Sequence, residues 1–462
     1  MPPNNITQHP LKSASPSVLW PALTGKSEAP LAAILFQLEQ TQWWPPEALR
    51  EQQFRQLKPL LEHAWQTIPF YRDRLSGAGY QPGQAITEEF WTALPLLTRS
   101  DIQLEPDALL SSDIPKTHGA VHSTTTSGST GRPLKVYGTR LTSLMWMAFA
   151  LREHHWHQRD ISGKLAVIRY LPPGSRLGSP PDGTTGKNWG APASILYQTG
   201  PSATLSISAD ISVQAAWLEK QRPDYLLTYP SNLDAILRYC REHRVQIENL
   251  REIRTISEIV TPALRSLCEE TLGVPIVDVY SANDLGYIAV QCPDCHQYHI
   301  QSESLLCEVL DDAGKPCRPG ETGRVVGTGL HNYAMPLLRY EIGDYAVIGE
   351  SRLCRRGLLA ISSILGRSRN MLTMPDGQKR WPRFLAWREI APIAQWQILQ
   401  ETREHLKARI VPLRALTAED EERLTQSIAE DYGFRFDIQF EYLNEIRGHE
   451  NGKFEEFISQ VG

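Results

Sequence analysis

Residues 124–133 read Thr-Thr-Thr-Ser-Gly-Ser-Thr-Gly-Arg-Pro, a run of small hydroxyl side chains interleaved with glycine. Hydroxyls and backbone N–H groups in such a loop can converge on an oxyanion, and glycine admits turns that a Cβ would obstruct. The chemistry offered is the holding of phosphate. It is not the nucleotide-binding P-loop, which needs Gly-x-x-x-x-Gly-Lys followed by Ser or Thr. A second constellation is Cys292-Pro-Asp-Cys295-His296-Gln-Tyr-His299. A Cys-x-x-Cys pair with a nearby histidine suits tetrahedral zinc, although one knuckle supplies only half a site. His154, His155 and His157 sit too close in sequence to share a helix face, so they read as structural or surface residues.

The elements that must position these groups follow from hydrophobic spacing. From Asp224 to Ser281, short apolar runs alternate with amphipathic stretches: DYLLTYP, then SNLDAILRYCREHR with Ser231 as cap, then IRTISEIV, then a helix opened by Thr261-Pro262 and closed by Gly273, then PIVDVYS. Strand, helix, strand, helix, strand implies parallel pairing, with ligands at the carboxyl ends of the strands. Phe54, Leu57, Leu61, Ala64, Trp65 and Ile68 mark a helix that Pro59 should start or kink. The Gly/Pro-rich stretch from Pro172 to Pro192 reads as a long exposed loop. Past residue 370, HLKARIVP and DIQFEYL flank a helix capped by Thr417 and ended by Gly433, a separate small unit. The fold class is therefore α/β: a large N-terminal domain with mostly parallel sheets and helices, and a small C-terminal α+β domain joined by a hinge. Trp43, Trp44, Trp146 and Trp156 are expected in the core, and the acidic run Glu419 to Glu422 as a solvated first turn.

Bulk composition narrows the function classes. The chain has 462 residues, a net charge of -5 and seven cysteines. That balance offers nothing to a nucleic-acid backbone, and no apolar run is long enough for a membrane span. An odd, scattered cysteine count argues for a reducing compartment, hence cytoplasmic residence.

The segment TSGSTGRP resembles the phosphate-loop signature of the acyl-adenylate-forming superfamily, Ser/Thr-Ser-Gly-Ser/Thr-Thr-Gly-Lys/Arg-Pro. Five further segments resemble that family's motifs in family order. Ser257-Glu258 stands where relatives carry Gly-Glu, and Tyr280-Ser281-Ala282-Asn283-Asp284 resembles Tyr-Gly-x-Ser/Thr-Glu. Arg339-Tyr340-Glu341-Ile342-Gly343-Asp344 is similar to Arg-Tyr-x-x-Gly-Asp, with Gly366-Arg367 following. Asn451-Gly452-Lys453-Phe454 resembles the Gly-Lys motif of the small domain. The nearest group is that of phenylacetate-CoA ligases and capsule-biosynthesis-like adenylating enzymes.

The resemblance implies a flexible leader over residues 1–20, an ATP- and acid-binding domain over 21–366, a hinge at 367–370 and a lid domain over 371–462. ATP contacts fall to Thr126, Ser127, Gly128, Ser129, Thr130, Gly131, Ser257, Glu258, Tyr280, Ser281, Ala282, Asn283, Asp344 and Arg367. Thr130 and Asp284 would hold Mg²⁺, and Lys453 would serve the acid carboxylate and the α-phosphate. Some relatives bind a structural zinc, which here implies Cys292, Cys295, His299 and Cys354, with His296, Cys307 and Cys317 as alternatives. Trp146, Tyr229, Ser231, Asn232 and Ile256 are positional candidates for the acid pocket. The implied reaction is ATP-dependent adenylation of a small carboxylic acid, then transfer to CoA or to the phosphopantetheine of a separate carrier protein, by a monomer or homodimer. The alternatives are capture of the acyl group by an amine or hydroxyl, and a non-catalytic nucleotide-binding scaffold.

Overall fold

The structure, a computed structural model, describes residues 11–18, 20–125, 134–172, 174–367, 370–382, 387–446 and 454–461. The chain forms two compact units: residues 1–342 with 346–364, and 343–345 with 365–462.

The first unit opens with helices. Pro46–Thr67 runs through Pro59 without ending there. Leu57, Leu60, Leu61 and Ala64 are all fully buried. Burying three leucines contributes about 1.5–3 kcal/mol each, which outweighs the roughly 3 kcal/mol that an interior proline costs.

At the centre lies a twelve-stranded sheet. Its spatial order is Leu305–Leu310, Thr322–Gly329, Tyr340–Ile348, Ala360–Arg367, Tyr298–Ile300, Gly286–Gln291, Ile276–Ala282, Glu252–Ile256, Tyr225–Thr228, Leu165–Arg169, Ser202–Ser206 and Thr184–Gly186. Parallel pairing joins the five strands from Ile276–Ala282 to Ser202–Ser206. Their near-continuous burial is what parallel strands covered on both faces require. The Ile276–Ala282 strand then turns back antiparallel onto Gly286–Gln291, with a register shift between Tyr280 and Ser281.

The crossover helices are Pro230–His243 and Pro262–Leu272. Thr261 caps the second, accepting the Leu264 N–H, and Gly273 closes it at φ +67°. Ser231 does not cap the first. Pro230 takes the first helical position and Tyr229 the N-cap, so the orphan N–H of Ser231 is satisfied from outside by the Glu258 carboxylate at 2.8 Å.

The Gly/Pro-rich stretch is not wholly loop. Thr184–Gly186 adds an antiparallel edge strand to Ser202–Ser206. Gly183 is required there: it sits at φ +67°, and a Cβ would lie 2.4 Å from the Thr204 carbonyl oxygen. Of the four tryptophans expected in the core, only Trp156 is buried; Trp43, Trp44 and Trp146 are 49%, 40% and 37% exposed.

The second unit carries a four-stranded sheet in the order Asp437–Tyr442, His405–Pro412, Ile393–Gln400, Phe457–Ser459. Helix Ala418–Tyr432 starts in a capping box between Thr417 and Asp420 and ends at Gly433. Asp420 is not solvated. It is buried, accepting from Thr417 and lying 3.0 and 2.9 Å from Arg414 and Arg423. No described helix is long and apolar enough to cross a membrane.

Candidate active site and metal cluster

The strands Val121–Thr125 and Lys135–Thr139 pair antiparallel, with Thr125 opposite Lys135. They flank the Ser/Thr/Gly segment. Thr126, Ser127, Gly128, Ser129, Thr130 and Gly131 themselves lie outside the described residues, as does Lys453.

A cavity of about 390 Å³ opens beside this hairpin, within the size range of small-molecule sites. The hairpin supplies Val136 and Gly138, helix Arg140–Trp156 supplies Met145, Trp146 and Phe149, and the turn after the central strand supplies Asn283 to Tyr287. Trp146 and Tyr287 meet edge to face, ring centroids 4.9 Å apart. Of the five acid-pocket candidates, Trp146 lines this cavity. Tyr229, Ser231, Asn232 and Ile256 do not. Asn232 is buried and donates to Gln214 and Thr228, and the Tyr229 hydroxyl accepts the Tyr170 N–H. Ile256 packs against the core that holds Phe149 and Tyr287.

Asn283 and Asp284 line the cavity; Ser281 and Ala282 are half-buried at the end of the strand, and Tyr280 belongs to the core. In the Arg-Tyr motif, Arg339 is structural, paired with Glu308 at 3.0 Å and donating to the carbonyls of Thr92 and Leu94. Within the second unit, Asp344 is nearly buried and lies 3.5 Å from Arg367.

Behind the Trp146 and Tyr287 wall, Glu153 is fully buried between two guanidinium groups. Arg254 donates to it at 2.8 and 2.5 Å, and Arg159 approaches to 2.8 Å. Burial alone would raise this carboxyl, but Arg254 and Arg159 outweigh it and hold it well below the carboxylate range. Arg254 also hydrogen-bonds Tyr287, and Arg159 donates to Glu252 at 2.5 Å. Of the three clustered histidines, His155 meets Tyr197 at 2.8 Å, His157 meets the Gln291 carbonyl at 2.9 Å and His154 is buried against Arg159, so all three are structural.

The side chains of Cys292, Cys295, His299 and Cys354 converge, with their ligand atoms within 4.8 Å of one another. His299 Nε2 lies 3.5 Å from Cys295 Sγ and 3.1 Å from Cys354 Sγ. In a tetrahedral zinc site, ligand pairs stand about 3.6–3.8 Å apart, as Zn–S near 2.3 Å and Zn–N near 2.0–2.1 Å dictate. The donor set therefore fits zinc. His299 Nδ1 faces the Leu358 carbonyl at 3.1 Å, so it carries the proton and leaves Nε2 free to ligate. Burial lowers this histidine to about 4, keeping it neutral. Arg356 donates to Cys292 Sγ at 3.1 Å and to Asp294 at 2.5 Å, covered by the rings of Trp43 and Trp156. His296 is outside the cluster, as are Cys307 and Cys317.

Residues 386–460 match the family model of the CapK C-terminal domain. The phenylacetate-coenzyme A ligase of Thermus thermophilus is 27% identical over 344 residues, spanning 71% of this chain and 72% of that protein. The Escherichia coli enzyme of the same name is 24% identical over 350 residues, with the same coverage. Among solved structures, 2-hydroxyisobutyryl-CoA ligase in its postadenylation state aligns with a TM-score of 0.71 at 18% identity, covering 91% of this chain and 92% of that one. The same ligase in its thioesterification state aligns at 0.58 and 20% identity, covering 92% of each chain. Along most of its length the chain is similar to phenylacetate-coenzyme A ligases, and its C-terminal part to the CapK C-terminal domain.

Ser257, which the sequence resemblance sets at a glycine position, sits at φ +74°. Left-handed backbone costs a residue with a Cβ about 1–2 kcal/mol, a cost that glycine would not carry there. The adjacent Glu258 is committed to the helix N-terminus through Ser231. Cavity residues that the sequence did not single out are His122, His331 and Tyr287. Three separate segments carry them, so no local spacing could have announced them.

Proposed function

We propose that this chain is an AMP-forming acid-thiol ligase whose carboxylic acid binds in the cavity beside the 121–139 hairpin. The acid carboxylate attacks the α-phosphorus of ATP, forming the acyl–O–P bond and breaking the bond to pyrophosphate. The thiol then attacks the acyl carbonyl and AMP leaves. The observation that carries this reading is the similarity to phenylacetate-coenzyme A ligases along 71% of the chain, and the cavity lies where the hairpin flanking the Ser/Thr/Gly segment meets Asn283 and Asp284.

In this reading Ser127, Ser129 and Thr130 cradle the phosphates and Asp344 accepts hydrogen bonds from the ribose hydroxyls. Asp284 and Thr130 hold Mg²⁺, which supplies charge neutralisation at the transferred phosphoryl group. Lys453 places a cation where negative charge builds on the carboxylate and α-phosphate. Cys292, Cys295, His299 and Cys354 hold a structural zinc that ties two distant segments together. The acceptor is the thiol of CoA, and a carrier-protein phosphopantetheine presents the same group.

The test is ATP–pyrophosphate exchange over a panel of acids with CoA omitted. Exchange dependent on one acid class is expected, and Lys453→Ala should lower it by about 10²–10³-fold, as loss of a preorganised charge-stabilising donor does. Wild-type exchange in that variant would remove Lys453 from the chemistry, and no exchange with any acid would overturn the ligase reading. Thioester formation on adding CoA separates a thiol acceptor from an amine or hydroxyl.

A further inference from the structure

Beside the Cys/His cluster lies a guanidinium, a group that donates hydrogen bonds and has no lone pair to offer a metal. Arg356 stands two residues after Cys354 and reaches back across the cluster, where its Nη1 donates to Cys292 Sγ at 3.1 Å and to the Asp294 carboxylate at 2.5 Å. Its Nε donates to Gln42 Oε1 at 3.2 Å, and the rings of Trp43 and Trp156 lie over it at 4.9 and 4.3 Å. Its backbone N–H is directed at Cys354 Sγ, 3.3 Å away. One residue thus donates to two of the three sulfurs, one from each of the segments that the cluster joins.

The side chain of Arg356 is 6% exposed. A charge withdrawn this far from water is costly unless it is paired. Asp294 does not supply that pairing in full: its side chain is 62% exposed, so its carboxylate stays hydrated and screened. Cys292 is fully buried. As a neutral thiol it would be a weak acceptor, whereas a metal-bound thiolate is a buried anion at hydrogen-bonding distance from the guanidinium.

Charge counting gives the same answer. Zinc takes its cysteines deprotonated and its histidine neutral, so three thiolates and one imidazole around the divalent ion carry one surplus negative charge. One guanidinium brings the buried set to neutrality.

We propose that Arg356 is the counter-charge of the metal site, so that zinc affinity depends on a residue that never touches the metal. The inference rests on the structural-zinc reading and adds to it the group that makes an anionic donor set stable away from water. Asp294 has the lesser part, steadying the guanidinium from the solvent side.

The experiment measures zinc affinity of the full chain by competition with a chromogenic chelator. Arg356→Gln, which keeps an N–H donor and removes the charge, should weaken zinc binding about 10- to 100-fold, the range over which outer partners of metal ligands act. Arg356→Lys, which keeps the charge without the planar fork, should recover part of that loss. Cobalt-substituted protein supplies a second readout: thiolate-to-metal charge-transfer absorption per bound cobalt should be the same in wild type and both variants, because all three sulfurs still ligate. Asp294→Asn alters an exposed side chain and should change the affinity by less than about fivefold. Wild-type zinc affinity in Arg356→Gln overturns the proposal even where Tm falls, since that is the mark of a packing role. So does an Arg356→Lys as weak as Arg356→Gln, or a cobalt band that loses intensity. Asp294→Asn weakened tenfold or more also overturns it, by making the carboxylate the outer partner, and this arm decides the matter should Arg356→Gln not fold. Wild-type protein that takes up no zinc strikes the metal reading itself and leaves the ligase reading standing.

Discussion

Glu153→Gln is a sharp test of the scaffold behind the cavity. The substitution keeps the side-chain volume and removes one charge from a site with no exposed carboxylate surface. Arg159 retains Glu252 at 2.5 Å, but Arg254, whose side chain is 10% exposed, loses its closest anion. Breaking a buried pair from one side costs about 3–5 kcal/mol, because the remaining charge stays desolvated. For a unit of about 360 residues, an unfolding entropy near 2.1 cal/mol/K per residue turns that cost into a fall in Tm of roughly 4–7 °C. The pH dependence has a definite sign. The folded carboxyl lies well below its ordinary value of 4.5, so its contribution is complete above that value and is lost as pH falls through the folded pKa. The gap between wild type and Glu153→Gln should therefore hold constant from neutral pH down to about 5 and narrow only in stronger acid. Differential scanning calorimetry at matched scan rates from pH 7.5 to 4 measures this. A gap under about 1 °C at neutral pH, or one that closes between pH 7 and 6, would refute the reasoning.

Two further outcomes follow from the other clusters. Protein purified without chelator should contain about one zinc per chain, and Cys354→Ser should lower both the metal content and Tm; metal-free wild-type protein would show the cluster to be four ordinary side chains. Asp344→Asn should raise KM for ATP about 10- to 100-fold, the loss expected of hydrogen bonds to a charged acceptor. An unchanged KM would remove Asp344 from the ribose.

The parts of the fold legible in sequence are those set by local periodicity and capping. The run from Tyr225 to Ala282 folds as alternating strands and helices, and Thr261, Gly273, Thr417 and Gly433 terminate helices where their chemistry says they should. Less visible were features decided by contacts distant in sequence. Ser231 looks like a cap, yet the acceptor at that helix start comes from Glu258, 27 residues away. Pro59 looks like a stop, yet buried leucines carry the helix through it. Trp43 looks like core, yet it lies exposed against the Arg356 guanidinium. The convergence of Cys354 with the knuckle spans 55 residues from His299, and came into view through the family resemblance, not through spacing. The cavity was the hardest part to read. Its wall draws on the hairpin, one helix face, the 283–287 turn and the 329–332 turn, and only the pairing of strands brings these together.

One short strand links the cavity to the metal cluster. Gly286–Gln291 begins at the cavity with Gly286 and Tyr287 and runs directly into Cys292. Six residues of strand span about 20 Å, so the two sites are separated by a single rigid segment. Its far end is fixed by Gln291, whose side chain accepts the Asp278 N–H at 3.0 Å and donates to the His296 carbonyl, and whose own carbonyl meets His157. Its near end is fixed by Tyr287 through Arg254 and Glu153. Helix Arg140–Trp156 closes the frame, with Trp146 at the cavity and Trp156 against His299. A metal at the knuckle would thus hold one end of a strand and helix pair whose other end shapes the cavity. The Cys/His cluster and the cavity are thus connected by packing, without any residue of one touching the other.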